Sequence, residues 1–188
     1  MDRPPAAHWQ FDDLQTFDGY SAEGHIGNNP LLAVMKQGDD EYRQGDYASA
    51  LLAYRQLVGA ESENGWMHYR LAHVRQKLGE FDQAIASYWS AFKLGLPSGM
   101  GEDYGPIVLC DIGAAYAEIG DFDGAIAAFR LSSRVRFSTV AAYGLGQALY
   151  LNGEPLAALT ALKAAAKYDR YTQNATRLIG IITVSHSM

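Results

Sequence analysis

Two histidines, His68 and His73, a single cysteine, Cys110, and the acid pairs Asp12-Asp13 and Glu102-Asp103 are the first places to look for chemistry in this chain. The histidines lie five residues apart on one predicted helix, which turns the second ring away from the first. Metal-binding pairs favour a spacing of three or four, so these read as structural. Cys110 has no second thiol with which to form a disulfide or a zinc site and no base that the sequence identifies, and it reads as a small buried residue. Gly99-Met100-Gly101 is a fragment of a phosphate-binding turn, yet it follows a helical pattern and has no Lys-Ser or Lys-Thr behind it. Acid pairs in loops are solvated charge. The expectation is no catalytic residue, no metal and no cofactor. What remains is a set of aromatics interleaved with cations: Tyr42, Arg43, Trp66, Tyr69, Arg70, His73, Lys77, Tyr143, Gln147 and Tyr150. Rigid rings offer area at little entropic cost and guanidinium adds directed hydrogen bonds, which is the chemistry of recognition.

Such a surface needs elements that hold these residues on one side. Three segments share one pattern: Gly45-Asp46-Tyr47-Ala48-Ser49-Ala50-Leu51, Gly79-Glu80-Phe81-Asp82-Gln83-Ala84-Ile85 and Gly120-Asp121-Phe122-Asp123-Gly124-Ala125-Ile126. A fourth, Gly153-Glu154-Pro155-Leu156-Ala157-Ala158-Leu159, keeps the glycine, acid and alanine and puts Pro155 where the aromatic stood. The alanines at 50, 84, 125 and 158 are 34, 41 and 33 residues apart, a period that marks stacked helical hairpins. In the second copy Trp66–Leu78 forms the first helix, Gly79 ends it in a left-handed turn, and Asp82–Leu94 forms the second. Leu71 and Ala72 then face Ala84, Tyr88 and Ala91, small residues letting the axes approach while Tyr88 fills the space beside them. The third copy repeats this with Ile112, Gly113, Tyr116, Ala125, Phe129 and Ser132, and the fourth with Leu145, Gly146, Leu149, Ala158, Leu162 and Ala165.

Leu71-Ala72, Ala84, Tyr88 and Ala91, with Ile112-Gly113, Tyr116, Ala125 and Phe129, resemble the tetratricopeptide repeat family, whose signature is a large residue before Gly or Ala, an aromatic, then Ala and an aromatic four residues on. The resemblance covers roughly residues 31–170. It implies an all-α, right-handed superhelical solenoid of about four hairpins, at 31–60, 64–94, 107–137 and 139–170 within an array spanning 30–170, with an inserted loop at 95–106 and a C-terminal cap at 171–188. Gln37 and Glu41 stand where the family is usually apolar, which makes the first unit an edge repeat with one solvated face. The segment Thr172–Val184 reads as a helix covering the last repeat, its β-branched residues leaving a strand as the alternative. Asn29-Pro30 is a helix-start signal.

In this family the first helix of each unit lines the inner wall. The resemblance thus assigns to the wall Met35, Asp39, Tyr42 and Arg43 in the first unit, and Trp66, Tyr69, Arg70, His73, Gln76 and Lys77 in the second. It adds Cys110, Asp111, Ala114 and Glu118 in the third, and Tyr143, Gln147 and Tyr150 in the fourth. It implies a non-catalytic adaptor or chaperone-like module that holds a protein or peptide segment in its groove, one with acidic and aromatic residues being the complement. The Lys and Asn with which some members bind chaperone tails are replaced by Met35 and Asp39. The alternatives are a self-assembling scaffold, hence a homo-oligomer, and an accessory subunit of an enzyme.

The bulk properties agree. With 188 residues, 48% of them hydrophobic, the chain can bury a continuous core. A formal charge of −6 argues against nucleic acid, which needs a surplus of Lys and Arg on one face. The apolar run Leu178–Val184 is far shorter than the ~20 residues that span a bilayer, and no apolar stretch follows Arg3, so neither membrane insertion nor a secretory signal is expected and the setting reads as cytoplasmic. Residues 1–29 carry five acids against Arg3 alone, interleaved with Trp9, Phe11, Phe17 and Tyr20. This acidic, aromatic, flexible segment is itself partner-like and able to compete for the groove, the alternatives being a solubilising tail and a strap on the outside of the first unit.

Overall fold

The computed structural model describes residues 30–95, 104–136, 138–167 and 169–185. The expectations for residues 1–29, for the Asn29 cap, for Glu102-Asp103 and for Gly99-Met100-Gly101 lie outside them. Among the described residues there are nine helices and no strand: α1 (Pro30–Gln44), α2 (Tyr47–Ala60), α3 (Gly65–Lys77), α4 (Phe81–Leu94), α5 (Tyr104–Glu118), α6 (Phe122–Val135), α7 (Thr139–Leu151), α8 (Pro155–Ala165) and α9 (Asp169–Ser185). The third unit starts earlier than the 107 read from the sequence. Tyr104, Gly105 and Pro106 are already helical, because a proline in the first turn lacks only an N–H that would have had no helical partner.

One turn is built four times. Gly45, Gly79, Gly120 and Gly153 have φ between 77° and 82°, a region glycine enters without steric cost. In each the glycine N–H bonds a carbonyl three residues back and the next N–H reaches one five back, as in Gly79 to Gln76 (3.0 Å) and Glu80 to Arg75 (2.9 Å). The acid after the glycine then opens the second helix. Asp46 accepts from the Ser49 N–H and Asp121 from the Gly124 N–H, each such cap contributing about 1 kcal/mol. Pro155 takes the first position of α8, which explains why the fourth copy tolerates it.

The hairpins α1–α2, α3–α4, α5–α6 and α7–α8 stack in chain order, and α9 packs on α8 and α7. The cap is therefore helical, and it buries Ala175 and Ile182. The core runs as three linked clusters. Tyr54, Leu57, Leu71 and Val74 join the first two units, Ala84, Tyr88, Leu109 and Ile112 the second and third, and Phe129, Leu149, Leu162 and Ile182 the third, the fourth and the cap. A fully buried Leu, Ile or Phe stabilises by about 1.5–3 kcal/mol, and each does so here only against a neighbouring hairpin. Gln37 is exposed and donates to Glu41 at 2.8 Å, so the first unit keeps a solvated side. α5 and α7, and α7 and α9, come closer to one another than any two even-numbered helices do. There the odd-numbered helices are accordingly the inner layer, and the shared register of the hairpins puts α1 and α3 on the same side.

Candidate inner-wall recognition site

At each joint between hairpins three positions meet: one on the first helix of a unit, the aromatic on its second helix, and one on the first helix of the next unit. Counted from the marker alanine of its own unit, at 50, 84, 125 or 158, each is the same position every time. At the first joint they hold Asp39, Tyr54 and Arg70. At the second they hold His73, Tyr88 and Asp111, and at the third Ala114, Phe129 and Gly144.

The first joint is a fixed charge pair. Tyr54 is buried and its hydroxyl donates to Asp39 Oδ1, while Arg70 donates from Nη2 to the same carboxylate and from Nε to the Tyr54 hydroxyl at 3.0 Å. The Arg70 guanidinium carbon lies 5.6 Å from the ring centre of Tyr42, 5.5 Å from Tyr54 and 5.7 Å from Trp66. With 13% of its side chain exposed, against 25% for Asp39, Arg70 is held from every side. Burial alone opposes its charge, but Tyr54 and Asp39 outweigh that effect and it titrates above its ordinary value. Burial first, and the neighbouring carboxylate after it, push the Tyr54 hydroxyl up. Cation–π and charge-assisted contacts thus fix the guanidinium plane and leave the half-buried rings of Tyr42 and Trp66 as its rim.

The second joint corrects part of the sequence reading. Tyr69 and His73, expected on the open wall, are 4% and 9% exposed, and Asp111 is 5% exposed. Cys110 and Ala114 are buried as well. The cause is the neighbouring unit: Tyr104 of α5 stands edge-on to both Trp66 and Tyr69, and Trp66 stacks on Tyr69 at 5.5 Å. Beneath this lid the Tyr69 hydroxyl donates to Asp111 Oδ2 at 2.8 Å, and His73 Nε2 lies 3.7 Å from the same oxygen. The Tyr88 hydroxyl is 3.1 Å from His73 Nδ1 and 2.7 Å from Gln76 Oε1. Burial pushes Asp111 up to about 7, partly offset by the Tyr69 hydrogen bond. Burial, with Arg70 and Lys77 adding to it, pushes His73 down to about 3. Burial also lifts Cys110 to about 12, its Sγ lying 3.3 Å from Ser132 Oγ, so the thiol is inert.

The remaining wall residues divide. Arg43 is exposed and turned back to Asp40 of its own helix at 2.7 Å, and Lys77 is exposed at the equivalent end of α3. Tyr143, Gln147 and Tyr150 are half-buried on α7, with α5 standing between them and the Arg70 cluster. The structure thus joins Tyr42, Trp66 and Arg70 in one cluster and Tyr69 and His73 in another, and leaves the α7 group apart. From the sequence Tyr54 and Tyr104 have no role, and Asp39 and Asp111 stand on the wall without the partners they meet there. The alignment of the copies held a signal for three of them, since Asp39, Tyr54 and Asp111 occupy matching joint positions. Among the described residues no group of three or more His, Cys, Asp or Glu could hold a metal ion.

Stacked hairpins with a chemically furnished inner layer define an all-α solenoid built for surface contact. The tetratricopeptide repeat family matches over residues 41–88 and again over 110–175, and the chain belongs to that family. None of the curated proteins matches it in sequence. Among solved structures it is similar to MamA, with 21% identity over 84% of this chain and 82% of that one at a TM-score of 0.73. A second MamA, from Desulfovibrio magneticus RS-1, gives 16% identity, 87% and 88% coverage and a TM-score of 0.74. YrrB, a repeat protein of the same family described as having an unusual peptide-binding site, gives 14%, 82% and 76%, and 0.65. At these identities the likeness is one of fold. Among the described residues no helix is long and apolar enough to cross a membrane.

Proposed function

We propose that this chain is a non-catalytic protein-binding module, an adaptor or chaperone-like holder, that seats a partner segment along the inner layer of odd-numbered helices in a cytoplasmic setting. The observation that carries this reading is the Arg70 cluster: a guanidinium fixed by Asp39 and Tyr54, rimmed by Tyr42 and Trp66. Groups held in place before binding lose little entropy on binding, which is how a wall gains affinity from few contacts. Partner aromatics would lie against the rims of Tyr42, Trp66, Tyr143 and Tyr150. Acidic partner residues would face Arg43 and Lys77, which end α1 and α3 at equivalent positions.

Peptides selected from a random display library against the immobilised protein test this. Their affinity, measured by calorimetry, should fall tenfold or more in Lys77→Glu and in Tyr150→Ala and stay unchanged in Leu156→Ser, whose side belongs to the even-numbered layer. Equal loss in all three variants, or loss in Leu156→Ser alone, contradicts it. A self-assembling scaffold is the second reading, favoured by Ile181 and Val184, both exposed on the terminal α9. Sedimentation velocity over a wide range of concentration separates the two: a mass that stays at one chain removes the scaffold.

A further inference from the structure

The second joint sets four polar groups in a row from a buried acid to the surface of the groove: Asp111, His73, Tyr88 and Gln76. Asp111 is on α5, His73 and Gln76 on α3, and Tyr88 on α4. Only the last group is half-exposed. His73 Nε2 is buried and makes no hydrogen bond at its distance of 3.7 Å from Asp111 Oδ2. The Tyr88 hydroxyl has one hydrogen to give and two acceptors within reach, His73 Nδ1 and Gln76 Oε1. A line of this kind has two complete arrangements that run in opposite directions.

We propose that proton uptake at Asp111 reverses this line and so turns the Gln76 side-chain amide at the groove surface from one orientation to the other. In the acid arrangement Asp111 Oδ2 carries a proton, accepts from Tyr69 and donates to His73 Nε2. His73 Nδ1–H donates to the Tyr88 oxygen and Tyr88 O–H donates to Gln76 Oε1, so Gln76 presents its NH2 to the groove. In the alkaline arrangement the Asp111 carboxylate accepts from His73 Nε2–H. Tyr88 donates to His73 Nδ1 and accepts from the Gln76 NH2, so Gln76 presents its carbonyl. The two differ by one proton, gained from solvent by Asp111, and His73 is neutral in both. Closing the Asp111–His73 gap by about half an ångström completes either.

The surroundings hold His73 neutral and let Asp111 change. The charged and titratable groups around the pair are Tyr69, Arg70 and Lys77 of α3, Tyr88 of α4, Tyr104 of α5 and Tyr42 of α1. On the far side of α5, Cys110 meets the uncharged Ser132 and Ser138. Arg70 and Lys77 oppose a second proton on His73, and Tyr69, Tyr88 and Tyr104 titrate above their ordinary value. Asp111, lifted to about 7 by its burial, is the group that titrates near neutrality. The consequence for a partner rests on the inner layer being the binding surface: a segment offering an acceptor to Gln76 binds more tightly in acid, one offering a donor more tightly in alkali.

The test needs no partner, so its failure is separate from failure of the binding reading. Side-chain 15N spectra of the full chain, with His73 assigned by its loss in His73→Asn, are recorded from pH 5.5 to 8.5. The expected result is that the pyrrole-type and pyridine-type resonances of His73 exchange places with a midpoint near 7, in step with a change at the Gln76 amide. Asp111→Asn should fix one tautomer at every pH. If that variant does not fold, the titration of the natural chain decides alone. A single His73 tautomer throughout, or a His73 that becomes doubly protonated in this range, overturns the proposal.

Discussion

The first and third joints of this solenoid use the same three positions and close by opposite means. At the first, Asp39, Tyr54 and Arg70 meet as a hydrogen-bonded charge pair. At the third, the corresponding Ala114, Phe129 and Gly144 carry no polar atom beyond the backbone, and a Cβ on Gly144 would stand 2.5 Å from the Phe129 ring. With so little side chain between them α5 and α7 approach one another, whereas the first two joints are spanned by long polar side chains. Close packing gives the C-terminal half its stability. Spacing by polar pairs gives the N-terminal half its chemistry, at the cost of burying charge, which seldom adds net stability.

The comparison can be broken most forcefully at Phe129. Phe129→Ala should cost about 3–5 kcal/mol, measured by urea unfolding, because a fully buried ring leaves a cavity between two tightly apposed helices. Gly144→Ala is the next largest. A helix interior normally gains from that change, but here the new methyl meets a ring that lies so near Gly113 as well that a Cβ there would come within 2.9 Å of it, so a loss of about 1–3 kcal/mol is expected. An unchanged midpoint would mean that the third joint is looser than described. At the first joint the loss should be smaller, since Asp39 is a quarter exposed and water can replace its partner. A double-mutant cycle of Asp39→Ala with Arg70→Ala should give a coupling of about 1–2 kcal/mol, and a coupling near zero would make the pair incidental.

The second joint lies between these extremes and its signature is pH dependence. Asp111 is raised from 3.8 to about 7, so the folded chain binds more protons than the unfolded one in that window and stability falls as pH rises through it. His73 is lowered from 6.5 to about 3, so its contribution rises with pH over nearly the same range and opposes the first. Asp111→Asn removes the falling part. The stability of the variant relative to the natural chain should therefore grow between pH 4 and 7 and stay level above, as urea midpoints at several pH values would show. A difference that does not vary with pH contradicts the buried-acid account.

Local chemistry was legible in the sequence where it is set by neighbours along the chain. The glycine turns at Gly45, Gly79, Gly120 and Gly153 and the stripes around Ala84 and Ala125 follow from period and from residues a few positions apart, whereas the helical nature of α9, whose β-branched residues left a strand open, follows from the need to cover the last repeat. The exposure of Tyr69 and His73 did not follow, because what covers them is Tyr104 and Asp111, brought over from beyond a long insertion. Position on a repeat says which way a side chain points. It does not say how far the next repeat reaches across. Asp39 and Arg70 were each placed on the wall, yet their pairing, 31 residues apart, became evident only when the three joints were compared.

Site-specific photo-crosslinking in cells that make this protein tests the inner-layer claim most directly. A photoreactive phenylalanine analogue would replace Tyr42, Tyr143 or Tyr150 on the odd-numbered helices and Leu52 or Leu156, both strongly exposed on the even-numbered ones. The account predicts that one and the same partner is captured from positions 42, 143 and 150 and not from 52 or 156. Capture from 52 and 156 alone, with positions 42, 143 and 150 silent, would contradict it.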